Sequence, residues 1–180
     1  MATSGTTTFD LDIDDIIEEA YERCGVRTNS GYNIKSARRS LNILFSEWGN
    51  RGIHLWKVVL KEQALTAGTA TYTTPSDCSD VLEAYVSTAQ TVTETTNDIS
   101  LDKIDRSAYA ALPNKGQQGQ PSQYYVNRQI NPTISLYLTP DCAQYIYLKY
   151  YYISRIQDAG AYSDQANVPY RFLPCMISGL

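Results

Sequence analysis

The chain predicts an α+β protein, a helical bundle with an inserted, mostly antiparallel β region, and three observations carry that expectation. Residues 11–56 show helical periodicity with matching start and stop signals. From Leu55 to Ile153 the apolar residues alternate in strand fashion between turn signals. An apolar helical stripe then returns between Val168 and Leu180. The expected organisation is a flexible N-terminal arm over 1–9, a helical hairpin over 10–53, and a β region over 54–156 with a short helix near 102–112. A linker and the start of a bundle-completing helix fill 157–180.

Each element follows from local chemistry. The first nine residues are small and polar, as in an unanchored arm. Ile13, Ile16, Ile17, Ala20 and Cys24 share one helical face, with Asp12 as the expected cap and Gly25 as the stop. Ile34, Ala37, Leu41, Leu44, Phe45 and Trp48 make the second stripe, capped by Asn33 and ended by Gly49 or Gly52. Alternation over Leu55–Leu65 predicts a strand, which the turn at Thr66–Thr69 folds back into a hairpin with the segment around Tyr72. Asp80–Ser87 reads as a further strand, and the threonine-rich run after it as an exposed loop. Ile104, Ala108, Ala111 and Leu112 predict a short helix that stops at Pro113. Gln123–Gln129, Thr133–Thr139 and Gln144–Ile153 read as a three-strand meander. At the end, Asn167 and Pro169 mark the start of a helix carrying Phe172, Leu173, Met176, Ile177 and Leu180.

Composition narrows the function classes. With 180 residues, 43% hydrophobic and 19% charged, the chain can bury a substantial core. A net charge of -4 argues against a general nucleic-acid clamp. No segment approaches the roughly 18 consecutive apolar residues of a membrane span, and the N-terminus lacks a signal-peptide pattern, so a soluble protein made in a cytoplasm is expected. Cys24, Cys78, Cys142 and Cys175 are too scattered for a disulfide framework or zinc cluster and are expected to be reduced and mostly buried. Tyrosine stands out at 15 residues against 3 Phe, which suits either a sheet covered by other subunits as well as by its own helices or a sheet whose outer face simply tolerates Tyr.

The residues do not assemble into a catalytic motif. The one histidine, His54, has no nucleophile turn near it, and Gly116 and Gly119 lack the strand and helix of a phosphate loop. Asp14 and Glu18 lie one turn apart but on an exposed acidic helix. No enzyme activity, cofactor or metal is expected. The charges are segregated instead: the first helix carries Asp14, Asp15, Glu18, Glu19 and Glu22, and the second begins with Lys35, Arg38 and Arg39, where cations are mildly unfavourable. That arrangement makes Glu18, Glu19, Glu22, Lys35, Arg38 and Arg39 candidates for a contact between subunits; the alternative is a solvated face with weak ion pairs.

The order DIIEEAYERCG, a GY turn, ARRSLN and EWGNRGIHLW, followed by Gly119-Gln120-Pro121 with SQYYVNR and by Val168-Pro169-Tyr170-Arg171-Phe172, resembles the head-to-tail adaptor (tail tubular, head-completion) proteins of short-tailed bacteriophages. The resemblance implies a structural protein of the virion, assembled in the host cytoplasm as a dodecameric ring at the head–tail junction. Its implied partners are further copies of itself, the portal protein, tail nozzle or fibre proteins, and double-stranded DNA that passes without sequence-specific binding. Carried onto this chain, it makes Arg171, Phe172, Met176 and Ile177 candidates for portal docking. The competing reading is a Tyr-rich β module that binds carbohydrate or peptide in a phage tail or other extracellular assembly.

Overall fold

The computed structural model describes residues 4–26, 31–89 and 97–180, with backbone alone for Gly31 and Tyr32. Two helices open the chain, α1 (Ile13–Arg23) and α2 (Gly31–Asn50). Then come β1 (Val58–Ala64), β2 (Thr71–Thr73), β3 (Cys78–Ser87), β4 (Asp98–Ser100) and β5 (Asp102–Ile104). The short helix α3 (Arg106–Ala111) precedes β6 (Gln118–Gly119), β7 (Gln123–Asn127), β8 (Thr133–Tyr137), β9 (Thr139–Pro140) and β10 (Tyr147–Ser154). The last helix is α4 (Leu173–Gly179). This mixed α+β chain forms two units: a helical one of residues up to Trp56 with Ile156–Leu180, and a β unit of Lys57–Arg155.

In the helical unit, α1, α2 and α4 pack pairwise around one apolar core. Ile13, Ile16 and Ile17 from α1 meet Leu41, Phe45 and Trp48 from α2 and Leu173, Met176 and Ile177 from α4. The first two helices end alike. Gly25 and Gly52 have φ of +72° and +78°, the left-handed conformation that only glycine adopts without strain. Gly25 N–H donates to Glu22 O at 2.9 Å and Val26 N–H to Tyr21 O at 3.0 Å; Gly52 N–H donates to Gly49 O at 3.2 Å and Ile53 N–H to Trp48 O at 2.9 Å. Both are Schellman closures.

The starts of the helices differ from the sequence expectation. Asp12 occupies the cap position of α1, but its side chain accepts no cap hydrogen bond. The free donors are met by the returning chain: Ile13 N–H donates to Asp164 O at 3.0 Å and Asp14 N–H to Tyr162 O at 3.1 Å. Asn33 lies inside α2, which already runs from Gly31; the residues before it, 27–30, are outside those described. Cys24 is exposed because the helix ends at Arg23 and the chain turns away from the core. Among the four free cysteines only Cys78 is buried, since Cys175 is exposed too and Cys142 half-buried. Near the C-terminus, Asn167 caps no helix. A 3-10 turn over Tyr170–Phe172 leads into α4, whose first turn holds Pro174, where a missing N–H removes no intrahelical bond.

The β unit has two four-stranded sheets, ordered β1-β10-β3-β4 and β2-β8-β7-β5, and a small parallel pair, β6 with β9. All pairs in the two larger sheets are antiparallel except β5 with β7. The sheets share one core: Val81, Ala84, Val86, Leu148, Tyr150 and Tyr152 from the first, and Tyr72, Tyr124, Val126, Ile134 and Leu136 from the second. Three sequence expectations change here. The β1–β2 hairpin does not form, because β1 takes β10 as its partner and β2 takes β8, which seats Tyr72 in the core. The meander is broken after β8, because β10 pairs with β1 and β3 in the other sheet. The helix expected over 102–112 is confined to Arg106–Ala111, where the Asp105 carboxylate caps it by accepting from Ala108 N–H at 2.6 Å. Asp102–Ile104 pairs with Gln123–Tyr125 as a strand. The threonine-rich loop expected after β3 falls largely on residues 90–96, outside those described.

The Schellman closures generate a test. Gly52→Ala forces a side chain into left-handed backbone and should lower stability by about 1–2 kcal/mol. Gly49 lies inside α2 with open space for 4 Å around the point where a Cβ would stand, and should gain roughly 0.5–1 kcal/mol as alanine. Urea unfolding of the two variants checks both signs, and equal shifts would contradict the assignment of the helix end.

Candidate functional site

The helical unit carries the charged and apolar surfaces to which the sequence drew attention. Glu18 and Glu22 are exposed on α1, and Glu19 is tied to Arg23 by a 2.8 Å ion pair one turn along. On the flank of α1 facing α4 lies an open groove of about 780 Å³. Phe9, Leu11, Leu173, Pro174 and Ile177 supply its apolar lining; Asp15, Glu18, Glu19 and Glu22 line its acidic side, with Arg23 as the one cation among its described lining residues. Sequence reasoning found the carboxylates but not the groove, since its apolar wall joins residues from opposite ends of the chain.

The three basic candidates on α2 separate into two kinds. Arg38 is half-buried and already engaged: its Nη1 donates to Gly160 O at 2.8 Å, and its guanidinium lies 5.2 Å from the centre of the Tyr162 ring. It holds the same loop that caps α1. Lys35 and Arg39 are exposed, and neither forms an ion pair among the described residues. One turn beyond Arg39 stands Ile43, 62% exposed. Lys35, Arg39 and Ile43 therefore form an i, i+4, i+8 ridge that turns away from the core-facing Leu41. Ile43 could have been picked out from the sequence, because it lies off the buried stripe of its helix.

Of the docking candidates near the C-terminus, Met176 and Ile177 are buried in the helical core. Phe172 is half-buried, its ring 4.7 Å from Trp56 and 5.7 Å from Trp48. Arg171 is exposed beside it, next to Tyr170, itself 73% exposed.

The β unit has polar features of its own. Asp80 accepts a forked pair of hydrogen bonds from Arg128, 3.2 Å from Nε and 2.8 Å from Nη2, and lies 3.4 Å from Lys103 Nζ. Burial raises the Asp80 pKa, but the Arg128 hydrogen bonds, the Lys103 charge and the Val81 N–H outweigh it and hold the carboxyl below its ordinary range. Lys149, buried at the centre of the first sheet, is paired with Asp98 at 3.4 Å. Tyr124 donates to Leu82 O at 3.0 Å, and burial pushes its hydroxyl pKa up to about 12. Among the described residues no group of three or more His, Cys, Asp or Glu is placed to hold a metal ion, and no helix is long and apolar enough to cross a membrane. The His54 Nδ1 atom is buried without a hydrogen-bond partner.

The family model described as SU10 adaptor protein matches residues 10–179, nearly the whole chain and both units. No curated protein matches the sequence.

The Asp80 cluster predicts an acid dependence. A carboxyl whose folded pKa is depressed contributes stability that is present above its unfolded pKa, about 3.9, and is lost as pH falls through the lower folded value. Unfolding of the wild type should therefore become easier on acidification below about pH 4, and Asp80→Asn should flatten that part of the profile while lowering stability at neutral pH. Denaturation followed against pH checks this, and a profile unchanged by the substitution would contradict it.

Proposed function

The chain belongs to the SU10 adaptor protein family, whose members are phage structural proteins, and from that premise we propose that it is a head-to-tail adaptor forming a dodecameric ring between portal and tail. In this reading it prolongs the DNA channel, docks nozzle or fibre proteins, and acts mechanically rather than as a catalyst. It works in the virion at the head–tail junction, after assembly in the host cytoplasm.

The observation that carries the reading is the family match across the helical and the β unit together. The surface chemistry is consistent with it. A ring of subunits with net charge -4 each presents a passing DNA duplex with like charge, which discourages sticking at phosphates. Subunit contacts draw on the acidic Glu18, Glu19 and Glu22 and the basic Lys35 and Arg39; Arg38 contributes by holding its own loop. With Met176 and Ile177 inside the core, portal docking falls to Arg171 and the neighbouring Tyr170 and Phe172.

Sedimentation of the purified chain, alone and with the portal protein of the same phage, tests the reading. A monomer or weak oligomer that closes into a ring on the portal is expected, with twelvefold symmetry by electron microscopy. A stable dimer indifferent to portal would sink it and favour the binding-module alternative. Arg171→Glu should weaken portal binding about tenfold, the scale of one lost charged contact, while leaving thermal unfolding unchanged.

A further inference from the structure

The groove between α1 and α4 and the ridge on α2 are complementary in both charge and polarity. The groove has an apolar wall of Leu11 and the exposed Pro174 over the buried Leu173 and Ile177, and an acidic side with the exposed Glu18 and Glu22 beside the Glu19–Arg23 ion pair. The ridge offers one exposed apolar side chain, Ile43, preceded along the same face by Arg39 and Lys35. Within one chain they cannot meet. Ile43 is two residues from Leu41, which is fully buried against α1 and α4, so about 200° of helical rotation points Ile43 away from them.

We propose that the groove receives the α2 ridge of a second copy of this chain, with Ile43 against the apolar wall and Lys35 and Arg39 against Glu18 and Glu22. The proposal rests on the adaptor reading and specifies its subunit contact. Groove and ridge are different surfaces, so the contact is heterologous: each copy uses its groove for one neighbour and its ridge for the other, and a rotation that closes gives a ring. The apolar contact supplies the anchor, and the charges set register and discriminate against a reversed approach. It also gives a counter-charge to Lys35 and Arg39, exposed cations that form no ion pair among the described residues.

The test is sedimentation velocity of full-length variants, alone and with the phage portal protein. Ile43→Asp, the pair Lys35→Glu with Arg39→Glu, and the pair Glu18→Lys with Glu22→Lys should each weaken assembly tenfold or more. All these side chains are exposed, so thermal unfolding should stay within a few degrees of wild type. Combining the two charge reversals in one chain should restore assembly to within about threefold, because the inverted charges again match. Variants that assemble as well as wild type, or charge reversals that impair assembly but fail to rescue one another, would overturn the proposed contact while leaving a ring possible. A wild-type chain that assembles under neither condition would overturn the adaptor reading itself.

Discussion

The hydrogen bonds from Ile13 and Asp14 N–H to the carbonyls of Asp164 and Tyr162 hold together a helical unit whose parts lie at opposite ends of the chain. A helix start leaves backbone donors unsatisfied, and a buried donor without a partner costs about 1–3 kcal/mol. The loop supplying the acceptors is itself held from α2: Arg38 grips Gly160 O, and Asn42 Oδ1 accepts from Ala159 N–H at 2.7 Å. Asp164 also accepts from Ala161 N–H at 2.7 Å through its carboxylate, which shapes the loop so that its backbone carbonyls face α1. Trp56 Nε1 then donates to Asn167 O at 3.3 Å, fastening the far end of the same segment. A stretch that reads in sequence as a polar linker thus joins the helices.

In the β unit the comparable constraint is long-range pairing. The longest ladders join β10 to β1 and to β3, strands far apart in sequence, whereas the local β7–β8 hairpin supplies the centre of the other sheet. Loops must close before such pairs can form, so the unit has the topology of a slow folder. The buried Lys149 lies in the middle of β10 with its ammonium directed to Asp98 on β4, beyond the intervening β3. A charge in that position tolerates few alternative registers, because a slipped strand leaves it without a counter-ion.

What the sequence disclosed and what it withheld divide along this line between local and distant partners. The stripes of α1 and α2, their glycine stops and the apolar face of α4 follow from spacing, and the structure places them in one core. The last strand is legible only in part: Leu148, Tyr150 and Tyr152 share a buried face, but Lys149 on the opposite face is buried as well. Partner choice did not follow, because Leu55–Leu65 alternates equally well whether it pairs with the next strand or with β10. Asp12 looked like a cap by residue type, yet the acceptors came from Tyr162 and Asp164. Among the charged residues, type and helix position identified the candidates but could not separate the engaged Arg38 from the exposed Arg39 one residue away.

The discontinuity of the helical unit orders events during synthesis. The β unit is a continuous stretch and can fold as soon as Arg155 has left the ribosome, while α1 and α2 are still waiting for α4. Until then α1 lacks both its capping loop and the far wall of its groove. A nascent chain therefore carries the first-turn N–H groups of α1 open to water until the loop with Tyr162 and Asp164 has emerged.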